Sequence, residues 1–193
     1  ILAEGATSRD AARDRDGRAG DLSALAAAAQ RSGDILGVAS VDLADFPDNR
    51  MDGVDLLDVV KRVEAAVGRW RPSVVYTHHG GDVNVDHRVA HEAVITACRP
   101  QPGYPVDTLL FFEVPSSTEW RPAADGAAFR PDWFVDISDT LETKLAALRA
   151  YDAELRAWPH PRSLEGVTHL ARWRGASCGL AAAEAFALGR KIS

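Results

Sequence analysis

Cysteine is scarce in this 193-residue chain. The two present, Cys98 and Cys178, lie far apart and form no CxxC or zinc-knuckle spacing, so no disulfide framework or cysteine metal site is predicted. Reduced thiols in a cytoplasmic protein are expected instead. No uninterrupted apolar run is long enough to span a membrane, so no membrane partner is expected. The opening residues show no basic, apolar, small-residue pattern of a signal peptide. A basic surplus is missing too. The formal net charge is -6, which argues against a general nucleic-acid binder. Neither an internal repeat nor a linker interrupts the chain. What remains, 46% hydrophobic and 26% charged residues, is ordinary for a soluble globular protein, and the length fits one domain over residues 1–193.

The chain opens at Ile1-Leu2-Ala3-Glu4-Gly5 without a Met, reading like the end of a buried strand and the loop after it. The numbering is therefore expected to begin inside a domain. A helix follows with Leu22, Leu25, Ala26 and Ala29 on its apolar side and Gly33 beyond its end. Ile35-Leu36-Gly37-Val38 reads as a short strand, and Asp45 to Asn49 as a turn cluster. Leu56, Val60, Val63, Val67 and Trp70 recur at helical spacing and predict a face packed on a sheet, stopped by Pro72. Ser73 to Thr77 and Thr108 to Val114 read as strands. A helix over Arg88 to Ala97 lies between them, followed by an extended connection set by Pro100, Pro102 and Pro105. Pro115 to Arg130 is a long polar loop, and Trp133 to Ile137 a further strand. A helix starts near Asp139, whose spacing to Glu142 fits a capping box, with Leu141, Leu145, Leu148 and Leu155 inward. Beyond the Trp158-Pro159-His160-Pro161 break, the last helical region runs roughly from Leu164 to Leu188. Strands alternating with helices predict an α/β, three-layer Rossmann-like domain with a mainly parallel sheet. Functional loops then gather at the carboxyl ends of the strands.

At that edge, residues 78–88 hold three histidines, two aspartates and an asparagine. Asp86 reads either as the helix cap or as the partner of a neighbouring histidine's second ring nitrogen. A neutral imidazole fixed in this way is a good zinc ligand. His87 and His91 share one helix face, which offers a second arrangement for a metal. His78, His79, Asp82 and Asn84 read either as participants or as loop and turn residues. Gly80 and Gly81 let the backbone approach a substrate closely.

Arg71-Pro72-Ser73-Val74-Val75-Tyr76-Thr77-His78 followed by Asp82-Val83-Asn84-Val85-Asp86-His87-Arg88 resembles the second signature of the PIG-L or LmbE-like N-acetylglucosaminyl deacetylases. Ala3 to Arg9, Phe46-Pro47-Asp48-Asn49, Phe111 to Ser117, Phe134 to Ile137 and Ala183 to Phe186 are similar to other stretches of that family, in the same order. The resemblance implies a Zn²⁺-dependent amidase that removes acetyl from an N-acetylated amino sugar. The metal would be held by two histidines and an aspartate, with His87 as one ligand and Asp86 orienting nearby groups. Asn84 stands where the family often has an oxyanion-stabilising histidine, so His78, His79 or Asn84 is expected to serve. Glu4, Arg9, Arg50, Asp82 and Glu113 are candidates for contacts with the substrate.

The family's first signature, Ala-His-Pro-Asp-Asp-Glu, is absent: the chain has no Asp-Asp pair, and its one His-Pro step, His160-Pro161, leads into Arg162. The domain is thus expected to be N-terminally incomplete, lacking a first strand and helix, with the remaining ligands supplied upstream of Ile1. The expected partner is a small-molecule amino sugar, with a homo-oligomer left open. The competing readings are a sugar-binding module without hydrolysis, and a helix-face metal site on His87 and His91.

Overall fold

Gly37 decides where the first helix stops. The computed structural model, which describes residues 1–122 and 128–193, runs α1 from Ala19 to Leu36 and closes it with Gly37 in the left-handed region at φ 69°. The Val38 N–H returns to the Gly33 carbonyl at 3.1 Å, which satisfies a carbonyl the helix end leaves open. The expected stop at Gly33 and the expected strand at Ile35–Val38 are therefore corrected. Gly33 stays helical and buried, and a Cβ there would sit 2.5 Å from Val41. Of the polar loop expected over Pro115 to Arg130, residues 123–127 lie outside the described part.

Two compact units make up the chain, and each combines segments distant in sequence. The first comprises Ile1–Asn49 and Phe134–Glu184. It contains α1, α4 (Leu141–Arg149) and α5 (Leu164–Ala176). Ala3 pairs in parallel with Phe46, so the extended reading of the opening residues holds. The core is Leu141, Leu145, Val167, Ala171 and Ala182, with Ile137, Leu148 and Leu164 packed against it. Each buried Leu or Val side chain there contributes about 1.5–3 kcal/mol. Residue Thr140 precedes α4, with no side-chain cap bond, so the Asp139 capping box does not form. Leu155 falls beyond the helix, after a 3-10 turn at Asp152–Glu154.

The second unit comprises Arg50–Trp133 and Ala185–Ser193. It holds α2 (Leu56–Trp70), β1 (Val74–His78), α3 (Val85–Ala97) and β2 (Thr108–Phe112). The apolar stripe of α2 buries Val59, Val60 and Val67, while Leu56 and Trp70 at its ends stay exposed. Val67 meets Val94 and Cys98 of the α3 segment and Val106 and Leu109 near β2, forming this unit's core. β1 and β2 are parallel, with Val74 opposite Thr108 and His78 opposite Phe112.

The two remaining strands are β3 (Trp133–Asp136) and β4 (Ala183–Lys191), and the strand order is β1-β2-β4-β3. β4 overturns the helical reading of residues 177–188. It runs antiparallel to β2, with a register shift between Leu109 and Leu110 that leaves Gly189 without an opposite residue. A side chain there would strike the Phe111 ring, with a Cβ only 2.4 Å from it. The alanines of this stretch favour helix locally, but Ala183, Ala185 and Phe186 gain burial as strand residues. Rossmann-like α/β architecture is thus present, with parallel pairing at β1–β2 and at the Ala3–Phe46 bridge. No helix among the described residues is long and apolar enough to cross a membrane.

Candidate functional site

β1 ends at His78, and the loop to α3 is shaped by its own side chains. Asn84, not Asp86, caps α3: its Oδ1 accepts the backbone N–H of Asp86 at 2.8 Å and of His87 at 3.4 Å. A cap must lie just outside the first helical turn, and the helix begins at Val85, three residues earlier than its periodicity suggested. His87 therefore sits in that first turn. Arg88 reaches back and donates from Nη1 to the carbonyls of Asp82 at 2.9 Å and Val83 at 2.7 Å, which fastens the loop.

Asp82 is wholly buried. Its carboxylate accepts the Asn84 N–H at 2.8 Å, the Thr118 hydroxyl at 2.8 Å and the Ser117 hydroxyl. His87 Nδ1 lies 3.2 Å from Asp82 Oδ2. Burial alone would raise this carboxyl's pKa, but the bonds from His87, Ser117, Asn84 and Thr118 hold it well below the usual carboxylate range. Asp82 is thus a carboxylate that faces Nδ1 of His87. Asp86 is itself buried and accepts the Met51 N–H at 3.0 Å, joining a 3-10 turn at Met51–Gly53 to α3.

His78 stacks on His87, with ring centroids 4.2 Å apart and planes 18° from parallel, and also meets Phe112 at 4.7 Å. Burial first, and then the neighbouring His87, push the His78 imidazolium down to about 3, so this ring is neutral near pH 7. Its Nδ1 is buried without a hydrogen-bond partner among the described residues. Stacked rings direct their in-plane lone pairs along nearly parallel planes, so the pair does not converge on one ion at about 2.0–2.1 Å. His91 turns elsewhere, with Nδ1 2.8 Å from the His78 carbonyl and its ring 4.7 Å from Phe111. That placement removes support from a joint His87–His91 metal site. His79 approaches Phe129 edge-on at 5.4 Å. Among the described residues, no three His, Cys, Asp or Glu side chains are grouped to hold a metal. His87 fits as a single ligand: Nδ1 is engaged, and its Nε2 makes no hydrogen bond among the described residues.

The expected substrate contacts are scattered. Glu113 is half-buried just past β2, and Arg50 is exposed beside the Met51–Gly53 turn. Glu4 and Arg9 belong to the first compact unit. There Glu4 accepts from Thr7 at 2.6 Å and from Arg13 at 2.8 and 2.9 Å, and pairs with Arg15 at 3.1 Å. Arg9 is paired with Glu154. Both side chains are thus occupied within their own unit. Ser117 and Thr118 were not foreseen. They form a hydroxyl pair just past a strand end, a weak signal that names no partner until the fold supplies Asp82.

The PIG-L family model, described as GlcNAc-PI de-N-acetylase, matches residues 1–98. A comparison with curated proteins finds no match. Among solved structures, a conserved protein of Thermus thermophilus is 24% identical with a TM-score of 0.70, covering 89% of this chain and 75% of its own. N,N'-diacetylchitobiose deacetylase of Pyrococcus horikoshii is 16% identical with a TM-score of 0.67, covering 88% of this chain and 64% of its own. The 4-carboxy-2-hydroxymuconate hydratase of Pseudomonas putida is 21% identical with a TM-score of 0.68, covering 100% of this chain and 83% of its own. At these identities the structures speak for the fold, and a deacetylase and a hydratase share it, so fold alone does not choose the reaction. The family match covers more than half of the sequence and carries the Asp86-His87-Arg88 signature: this chain belongs to the PIG-L family.

Proposed function

We propose that this protein is a metal-dependent hydrolase that removes acetyl from an N-acetylated amino sugar or glycoconjugate, with zinc as the metal and His87 as one of its ligands. One observation carries the reading: in a PIG-L family chain, the signature histidine has Nδ1 on a buried carboxylate, and its Nε2 makes no hydrogen bond among the described residues. The two further ligands and the carboxylate base of the family pattern are proposed to lie outside residues 1–193, which contain no Asp-Asp pair. A divalent cation would supply Lewis-acid polarisation of the amide carbonyl.

The chain's own residues do the rest. Asn84 caps the helix through Oδ1, which leaves its amide NH₂ outside the cap as a donor. Neutral His78 has no hydrogen bond at Nδ1 among the described residues, and a neutral imidazole offers a donor or an acceptor without the cost of burying a charge. These two, with His79, are the proposed stabilisers of the developing oxyanion. Asp86 is proposed to support the Met51 turn beside α3 rather than to meet the substrate. Arg50, Glu113 and Asp82's loop remain proposed sugar-facing elements of the second unit. A cytoplasmic setting and a small-molecule partner complete the reading.

Metal analysis of the purified protein, with acetate release from N-acetylglucosamine glycosides, tests it. Hydrolysis that depends on added zinc and is lost in His87→Ala is expected. Sugar binding with no acetate release at any metal concentration would replace this reading with that of a binding module.

A further inference from the structure

The ring nitrogens of His87 can be assigned from the donors around them. Both carboxylate oxygens of Asp82 act as acceptors, Oδ1 for the Asn84 N–H and the Ser117 hydroxyl and Oδ2 for the Thr118 hydroxyl. Ser117 has a single hydroxyl proton, and it is committed to Asp82 Oδ1. The Ser117 oxygen nonetheless lies 3.3 Å from His87 Nδ1, and Asp82 Oδ2 lies 3.2 Å from the same nitrogen. Both neighbours of Nδ1 are thus acceptors, so the proton of a neutral ring must reside there and the lone pair on Nε2. Thr118 fixes the arrangement from the other side, donating to Asp82 Oδ2 at 2.8 Å while accepting the Val114 N–H at 2.8 Å.

The geometry points to Asp82 as a positioning residue, held by the Ser117–Thr118 hydroxyl pair, that locks His87 in the Nδ1–H tautomer and aims its Nε2 lone pair as a metal donor. This rests on the proposed ligand role of His87 for its functional meaning, but the tautomer itself does not. The loop after β2 thereby becomes part of the site through two hydroxyls that act on His87 by way of Asp82. An acceptor on the far nitrogen also raises ligand basicity, and such partners typically set metal affinity by about 10–100-fold.

The test uses the protein labelled with ¹⁵N in its histidines. Long-range ¹H–¹⁵N spectra of the metal-free protein are expected to show His87 protonated at Nδ1 and bare at Nε2. Asp82→Ala is expected to mix the two tautomers and to weaken zinc, measured by competition with a chelator, by about 10–100-fold. Should that variant not fold, the pair Ser117→Ala and Thr118→Val carries the test, with a smaller change in the same direction in both readouts. Arg88→Ala is the structural control: it loosens the same loop through carbonyls alone and is expected to leave the tautomer unchanged. A pure Nδ1–H signal that survives loss of Asp82 or of both hydroxyls overturns the proposal. If His87→Ala binds zinc as tightly as the parent, the ligand reading fails, while the tautomer spectra still decide what Asp82 does.

Discussion

His91 Nδ1 donates to the main-chain carbonyl of His78, thirteen residues earlier, at 2.8 Å, and this bond holds the imidazole against Gly80. A Cβ on Gly80 would lie 2.7 Å from Nε2 and 2.9 Å from Cδ2 of that ring. With Phe111 packed 4.7 Å away, the ring has little room to move aside. Gly80→Ala is therefore expected to destabilise the protein by about 1–3 kcal/mol. In a His91→Ala background the same change should cost much less. Urea midpoints of the four proteins in this cycle check it, and simple additivity would show that the contact is not the cause.

Asp86 separates a structural role from a chemical one. Its buried carboxylate accepts the Met51 N–H at 3.0 Å, and Met51 is itself almost fully buried. Asp86→Ala is expected to lower stability by about 1–3 kcal/mol, because a buried donor loses its acceptor. Asp86→Asn keeps an oxygen for that donor and should lose less. Chemical denaturation of both variants tests the order. An unchanged midpoint in Asp86→Ala would remove the bond from the stability account.

Glu4 predicts a pH dependence within the first unit. The hydrogen bonds from Arg13, and after it from Thr7, hold its carboxyl below the ordinary value despite burial. A carboxyl depressed in the folded state contributes stability that is fully present above the unfolded value, about 4.3. That contribution is lost as pH falls through the lower folded value. Glu4→Gln is expected to be less stable than the parent at pH 7 and to show a flatter decline below about pH 4.3. Thermal melts across pH 3 to 7 measure it, and parallel curves for the two proteins would refute it.

Metal removal should register in stability as well as in turnover. A ligand that binds only the folded state adds about 2.7 kcal/mol at a hundredfold excess over its dissociation constant. Chelator is therefore expected to lower the melting temperature of the zinc-loaded parent. His87→Ala should melt at the same temperature with and without chelator. An equal drop in both would place the ion elsewhere.

Much of the architecture is readable in the chain itself, because helix α2, strands β1 and β2 and the break at Pro72 follow from short-range periodicity and stop signals. Local rules fail at the ends. Gly33 looked like a terminator, but the helix needed a residue without a side chain beside Val41. The alanine-rich C-terminal stretch looked helical, but Ala183 and Phe186 lie buried in a strand. Residues 78–88 stand out as the candidate site by composition, and His87 by its signature.

Assigning roles within that site needed distances across the chain. Asp86 and Asp82 look equally suited to partner a histidine. Only the fold, by bringing Ser117 and Thr118 onto Asp82 from 35 and 36 residues away, shows which carboxylate faces His87. Sequence therefore determined the family, most of the elements and the candidate loop, since those follow from local pattern. Tertiary structure decided which carboxylate faces the His87 imidazole and which groups are already occupied, as with Glu4 held by Arg13 and Arg15. Hydrogen bonds form between groups that folding makes adjacent, and spacing along the chain does not record that adjacency.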